Sequence, residues 1–143
     1  AATEVEMIEK KHRIEDAMEA IKSAQEEGIL PGGGVALIRA IQDLQVEVEN
    51  EDQRLGVEIL KKAAAEPIRQ LATNAGESSD IIINRIQNES TDVNSGYNFK
   101  DGEIVNMFEA GILDPTKVTR SAISNAVSVA SILITTDNAI VEL

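Results

Sequence analysis

Hydrophobic residues recur at helical spacing over residues 3–28, and charged residues fill most positions between them. Thr3, followed three positions later by Glu6, matches the capping-box signature of a helix start. Gly28 is typical of the position just after a helix end. The pattern predicts one helix of about 25 residues, longer than the average of about 10–14, which we expect to link two parts of a larger body. The apolar positions on its predicted face are Met7, Ile14, Met18, Ile21 and Ala24.

The same period returns in four later segments and predicts four more helices. Asn50 and Gln53 repeat the capping pattern at the start of the second segment. Pro67 falls inside that segment and should kink it, and Gly76 should end it. The acidic stretch 43–52 carries five carboxylates and no basic residue, which is typical of a solvated connector. The four segments are 33–45, 53–76, 78–89 and 114–136.

The last segment begins with Asp114 and Pro115, which suit the cap and the first position of a helix. Beyond Val118 it is apolar or small on nearly every side, so we expect this helix to be buried on most sides. Residues 139–143 then have strand character.

Residues 90–102 are rich in turn-forming side chains. The flanking stretches "GYNF" (96–99) and "EIVNM" (103–107) are candidates for a small hairpin around "KDG". The alternative is that the second stretch forms a helical turn that ends at Gly111. The whole pattern predicts a mainly α, multihelical fold with a small β element.

Composition excludes several classes of function and site. Aromatic residues make up 2% of the chain, so the core must be aliphatic, which suits packed helices. A formal net charge of −12 argues against nucleic-acid binding, since phosphates would be repelled. The absence of cysteine and the single histidine, His12, exclude a Cys-based metal site and a His cluster. The sequence contains no apolar run of about 20 residues, the length that predicts a membrane span. No membrane partner is therefore expected, and the default compartment is the cytoplasm.

The three glycines of "PGGGVALIR" open a predicted helix with bare backbone. They do not match the phosphate-binding loop spacing, because no Gly-Lys-Ser/Thr follows, nor do they match the dinucleotide-binding fingerprint. Free N–H groups at a helix start are a possible anion or ligand site. The alternative is a plain turn, and the glycines alone leave both interpretations open.

Two carboxylates are candidates for chemistry. Asp16 lies mid-helix, with His12 and Arg13 one turn before it. It is either a surface residue that pairs with its neighbours or a carboxylate held on a rigid helix to orient or deprotonate a water. A capping role at a helix start is enough to explain Asp114. A carboxylate at this position could also contact ribose hydroxyls.

A calcium loop over "DVNSGYNFKDGE" is disfavoured. Asp92, Asn94 and Glu103 fall at three ligand positions of an EF-hand loop. Gly96 and Tyr97, however, stand where the loop needs an oxygen ligand and then a glycine.

Taken together, the segments resemble the group I chaperonins, the bacterial and organellar double-ring folding machines. The stretches "EKKHRIEDAMEA", "EEGILPGGGVALIR", "NEDQRLGVEIL", "EPIRQLATNAGE" and "GILDPTKVTRSA" occur in the family's order and cover essentially the whole chain. The resemblance implies that residues 1–27 are the last helix of the intermediate domain. Residues 28–143 would then be the C-terminal half of the equatorial ATPase domain.

The resemblance also implies roles for single residues. Asp16 in "RIEDAMEA" matches the catalytic aspartate that activates the attacking water, and Gly33 matches the backbone that touches the nucleotide's sugar. Asn98 matches the residue beside which adenine binds, followed by Phe99 and Lys100 where the family has small residues. Asp114 matches the ribose-binding carboxylate.

The cofactors implied are ATP and magnesium, with the phosphate-binding loop and most metal ligands in an N-terminal half that this sequence does not contain. The implied partners are further copies in a double ring, with the co-chaperonin and unfolded proteins bound by an apical domain also outside it. We therefore expect the 143 residues to be a piece of a longer cytoplasmic or organellar-matrix chain, inactive alone and with an uncovered apolar surface on its last helix. The alternative function is a non-catalytic, acidic, helical oligomerisation module.

Overall fold

In the computed structural model, which describes residues 3–42 and 44–140, helices dominate and strands are short. This confirms the predicted mainly α class with a small β element. The described residues form six helices and four strands, in the order α1 Glu4–Glu27, β1 Ile29–Pro31, α2 Val35–Gln42, α3 Glu51–Ala63, α4 Glu66–Ala75, α5 Ser79–Glu89, β2 Ser95–Asn98, β3 Glu103–Asn106, β4 Leu113–Pro115 and α6 Thr116–Ile134.

The chain divides into two compact units. The first takes its described residues from 1–29 and 114–143, and the second is 30–113. Strands β1 and β4 pair with each other, and β2 pairs with β3 inside the second unit.

Helix α1 begins and ends where its sequence signals predict. Thr3 Oγ1 accepts a hydrogen bond from the backbone N–H of Glu6 at 3.2 Å. At the other end Gly28 takes a positive φ of 84°, and its N–H donates to Ala24 O at 2.8 Å. Both signals act over one helical turn, so local chemistry fixes this helix.

The start of α3 is also confirmed, whereas the kink predicted at Pro67 is a complete break. Asn50 Oδ1 accepts from Gln53 N at 2.9 Å, and the Gln53 side chain accepts in return from Glu49 N at 2.9 Å. Helix α3 stops at Ala63, and Pro67 lies in the first turn of the new helix α4. Proline is tolerated there because a first-turn N–H has no intrahelical acceptor.

The second unit holds a small aliphatic core, as the scarcity of aromatic residues predicts. Its side chains come from α2, α4, α5 and β2, and five of the seven are isoleucine or valine. The buried cluster is Val35, Ile38, Ile68, Ala72, Ile82, Ile86 and Tyr97.

Arg39 of α2 ties the end of α5 to this core. Its Nη2 donates to Ile86 O at 2.7 Å and to Ser90 O at 2.9 Å. Carbonyl groups in the last turn of a helix have no intrahelical donor, so the guanidinium supplies one. The same Nη2 reaches Ser95 O at 3.4 Å, which links the end of α5 to the start of β2.

The predicted hairpin is confirmed, and the alternative helical turn over the second strand is wrong. Strands β2 and β3 are antiparallel, with Tyr97 opposite Ile104 and Asn98 opposite Glu103. Gly96 permits this placement, because a Cβ on it would lie 2.4 Å from Val35 Cγ2 and 2.9 Å from Met107 Sδ. The missing side chain therefore lets β2 approach α2.

In the first unit the predicted N-cap role of Asp114 is wrong. Asp114 belongs to strand β4, Pro115 is the cap residue, and no side chain caps α6. The physical reason is that Thr116 N, the first N–H of the helix, already donates to Gly28 O at 3.1 Å. A backbone carbonyl takes the place of the capping carboxylate.

Helix α6 is exposed, so the prediction that it is buried on most sides is wrong for this structure. None of its described residues is buried. Its neighbour in the unit is α1, to which it is joined by the ion pair of Lys117 with Glu26 and by a two-bond pair of Arg120 with Glu27. One neighbouring helix covers only one stripe of another, which leaves the expected uncovered surface. Its large exposed side chains are Val118, Ile123, Val127, Val129, Ile132, Leu133 and Ile134.

Two further predictions concern segments without regular secondary structure. Residues 44–49 are exposed and form no helix or strand, as a solvated connector should, and Asp43 lies outside the described residues. Residues 139 and 140 are not in a strand, contrary to prediction, and 141–143 also lie outside the described residues.

Replacing Gly96 tests the close approach of β2 to α2. We expect Gly96→Ala to destabilise the protein by about 1–3 kcal/mol, because the added methyl overpacks the core. The matched control is Gly56→Ala in α3, where a Cβ meets nothing within 4 Å and should stabilise by about 0.5–1 kcal/mol. Urea unfolding monitored by circular dichroism measures both, and equal effects would contradict the packing argument.

Candidate functional site

The three-glycine turn is required by the fold itself. Gly33 and Gly34 have φ values of 69° and 77°, in the left-handed region that favours glycine. A Cβ on Gly34 would also lie 3.0 Å from Ile68 N. Packing thus explains the turn, and a role in nucleotide binding remains a separate prediction.

This turn lies beside the hairpin strand that leads to Asn98. A Cβ placed on Gly33 would lie 3.2 Å from Met107 Cε and 3.9 Å from the carbonyl oxygen of Tyr97. Two segments far apart in sequence, each singled out for the nucleotide site, are therefore neighbours within the second unit.

The loop 98–102 joins β2 to β3 and is closed by Asn98. Its Oδ1 accepts from Lys100 N at 3.0 Å, and its Nδ2 donates to Asp101 Oδ2 at 2.7 Å. Its backbone carbonyl accepts from Gly102 N at 2.8 Å. The Asn98 side chain is thus engaged in shaping the loop, which suits backbone contacts to a ligand better than side-chain contacts.

Phe99 and Lys100, the two departures from the family pattern, behave differently. Phe99 is partly buried against the core cluster, and its ring meets that of Tyr97 edge-on at 5.0 Å between centroids. Lys100 is exposed. The bulky ring therefore points to the protein's own core, and the cation faces solvent.

Sequence reasoning gave no role to Tyr97, which the structure places next to the candidate site. Tyr97 is 5% exposed, and its hydroxyl donates to the carboxylate of Glu77. That hydrogen bond, together with burial, raises the pKa of the Tyr97 hydroxyl. As the single tyrosine of the chain it was visible in the sequence, but no local signal reveals a partner twenty positions away.

Asp114 lies in the first unit, on β4, and is partly buried. Burial raises the pKa of its carboxyl above the ordinary value. Loss of water disfavours the charged form, and the structure shows no cation that offsets this among the described residues. A carboxylate kept in such a place suits the binding of hydroxyl groups.

Asp16 lies mid-way along α1 in the first unit, exposed to solvent. Its neighbour Arg13 pairs with Glu9 instead, so the described residues do not show the local pairing that would make Asp16 an ordinary surface carboxylate. The structure does not bring Asp16 and Asp114 together, because Asp16 is about 18 Å along the helix from the end near Thr116.

The described carboxylates do not gather into a cluster of metal ligands. Among them no group of three or more His, Cys, Asp or Glu side chains could hold a metal ion. In the disfavoured calcium loop, Asp92 already accepts hydrogen bonds from Asn94 N at 2.9 Å and from Asn106 Nδ2 at 3.3 Å.

Two other features lie away from the candidate residues. An open cleft of about 290 Å³ lies between residues 44–48 and one face of α3, and none of the candidate site residues lines it. Of the helices in the described part of the chain, none has both the length and the hydrophobicity needed to cross a membrane.

Comparison with known families gives a match over almost the whole sequence. The model of the TCP-1/cpn60 chaperonin family matches residues 1–142. The match covers both units and every candidate residue from Asp16 to Asp114.

Replacing Asp114 with asparagine should stabilise the protein near neutral pH. The folded-state pKa of the carboxyl is raised, so ionisation of Asp114 costs stability as pH rises through that value. Below the ordinary carboxyl pKa the group is protonated in both states, and the advantage of Asp114→Asn should vanish. Thermal unfolding of both proteins from acid to neutral pH measures this, with Asp52→Asn in the exposed first turn of α3 as control. A difference that grows toward acid would contradict the assignment.

Proposed function

Since this chain belongs to the TCP-1/cpn60 chaperonin family, whose members assist protein folding, we propose that it forms one side of the ATP site of a group I chaperonin subunit. The observation that carries this proposal is the closeness of the Gly33 turn to the strand that ends at Asn98. Two backbone segments from distant parts of the chain meet there, and a site that holds a nucleotide through main-chain contacts requires such segments close together.

In this proposal main chain of the second unit contacts the base and the sugar. Backbone at Gly33 contacts the sugar, and the loop at Asn98, Phe99 and Lys100 holds adenine through its main chain. The engagement of the Asn98 side chain within the loop supports a main-chain role. Asp114 accepts hydrogen bonds from the ribose hydroxyls once it is ionised.

Asp16 is proposed as the catalytic carboxylate that orients or deprotonates the attacking water. Phosphoryl transfer depends mainly on positioning and on charge stabilisation, so a single exposed carboxylate on a rigid helix suffices for this part. A helix that moves would complete the site only after closure, which couples hydrolysis to conformation.

The remaining parts of the site are proposed to come from chain outside these 143 residues. The sequence contains no phosphate-binding loop, and the described residues offer no cluster of metal ligands. Magnesium would neutralise phosphate charge when bound.

The same proposal assigns the chain its place in the subunit. Residues 1–27 belong to the intermediate domain and 28–143 to the equatorial domain of a protein of the cytoplasm or an organellar matrix. Subunits assemble into a double ring, and an apical domain binds the co-chaperonin and unfolded proteins. The apolar side chains left exposed on α6 support further packing partners for this helix.

That same exposed surface favours the second candidate, a non-catalytic, acidic, helical oligomerisation module. Such a module would also bury apolar helix faces between copies. It would, however, bind no nucleotide, and this separates the two candidates.

Replacing Asp16 with alanine in the full-length subunit tests the catalytic role. We expect kcat for ATP hydrolysis to fall by about 10²–10⁴, the usual contribution of a general base, with little change in KM. The matched control is Glu19→Ala, which removes an exposed carboxylate of the same helix that pairs with Lys22. Normal hydrolysis by Asp16→Ala would refute the assignment.

Titration of ATP with magnesium into the full-length subunit and into the 143-residue chain tests how the site is divided. We expect heat of binding only from the full-length subunit, and no steady phosphate release from the shorter chain. Tight binding by the shorter chain would show that it holds a complete site. If neither binds, the oligomerisation module is favoured.

A further inference from the structure

Arg85 of α5 contacts the hairpin at both ends of the loop 98–102. Its Nη1 donates to the carbonyl of Gly102 at 3.0 Å, and its guanidinium carbon lies 5.4 Å from the centre of the Tyr97 ring. Tyr97 directly precedes the loop and Gly102 ends it. One side chain from a helix therefore brackets the whole segment.

The guanidinium of Arg85 is itself held in place. Glu89, one turn along α5, accepts from Nε at 2.7 Å and from Nη2 at 3.2 Å. This bidentate pair lowers the pKa of the Glu89 carboxyl. A planar fork fixed in this way loses little further freedom when it bonds to Gly102.

The Tyr97 ring is fixed from three directions. Its hydroxyl donates to Glu77, its face lies near Arg85, and the edge contact with Phe99 is close to perpendicular at 80°. Because Tyr97 is buried, movement of any of these groups would move the strand that leads into the loop.

The loop has its own closing bonds and does not need Arg85 to form a turn. Asn98 accepts from Lys100 N and donates to Asp101. What those bonds leave open is the orientation of the closed loop relative to α5 and to the Gly33 turn. Arg85 contacts both the strand before the loop and the residue that ends it, so it can fix that orientation.

We propose that Arg85 is a positioning residue for nucleotide binding, which holds the 98–102 loop in the orientation that receives the base. This inference rests on the proposed function, since the loop must be the base-binding segment. Arg85 does not touch the base or the reacting phosphate. It should therefore act on affinity and base selectivity and leave the rate of the bound complex unchanged.

The test uses steady-state ATP and GTP hydrolysis by the full-length subunit and four variants. Arg85→Gln removes the charge and the fork, Arg85→Lys keeps the charge, and Glu89→Gln removes the pairing carboxylate. The matched control is Arg54→Gln in α3, which breaks a similar helix-surface pair with Glu51. We expect Arg85→Gln to raise KM for ATP about 3- to 10-fold, as the net contribution of one typical intramolecular hydrogen bond predicts.

A positioning role and a purely structural role predict different kinetic patterns. If Arg85 positions the loop, kcat of Arg85→Gln stays within about two-fold of the unmodified subunit, and its preference for ATP over GTP falls. Glu89→Gln then shows a weaker form of the same effect, and Arg85→Lys recovers part of the loss. Unchanged KM and selectivity in Arg85→Gln, or a fall in kcat alone, would overturn the inference. Should Arg85→Gln fail to fold, Arg85→Lys and Tyr97→Phe are measured against the same expectations.

The proposed function and the role of Arg85 can be refuted separately. If the unmodified subunit neither binds nor hydrolyses ATP, the proposed function and this inference both fall. If it hydrolyses ATP and the Arg85 variants match Arg54→Gln, only the inference falls.

Discussion

The second unit depends on the close approach of strand β2 to helix α2, which the missing side chain at Gly96 allows. With no Cβ there, Val35 and Met107 fill the space, and the hairpin becomes part of the aliphatic core. The core is small, so few other side chains could compensate for a displaced strand. The positions of Tyr97 and of the loop after it follow from this one contact.

Polar contacts then orient the hairpin, whose position the core sets. Arg39 joins the end of α5 to the start of β2, and Arg85 joins the middle of α5 to the far end of the hairpin. Both arginines donate to backbone carbonyls, so each contact depends on the course of the main chain. Helix α5 thus acts as the fixed support along which the hairpin is aligned.

Sequence reasoning succeeded where the physics is local and failed where it is not. Thr3 and Asn50 cap their helices through partners three residues away, and the pattern shows this directly. Asp114 looked like a cap because nothing nearby reveals that Gly28 O already occupies the Thr116 N–H. The pattern of α6 alone predicted burial on most sides for a related reason, since periodicity shows which face of a helix can be buried and not whether a partner covers it. The uncovered surface was predicted only from the chain that the family resemblance implies is missing.

The features of the candidate site also divide into those with a local sequence signal and those set by tertiary contacts. The glycines of the turn could be predicted from the sequence, but their closeness to Tyr97 is a tertiary fact. Residue chemistry left the proposed roles of Asp16, Gly33 and Asp114 open beside plainer alternatives. The family resemblance chose between these alternatives and added Asn98. The side chains that hold the loop, Arg85 above all, carried only a helical pairing signal with Glu89.

One consequence of the buried tyrosine is optical. The chain has one tyrosine and no tryptophan, so its near-ultraviolet absorption above the phenylalanine bands and its intrinsic emission arise from Tyr97 alone. The hydroxyl is bonded to a carboxylate, an arrangement that quenches tyrosine emission, and the ring lies where the core, the hairpin and α5 meet. The 143-residue chain therefore carries a built-in fluorophore at the junction that orients the loop, with no label required.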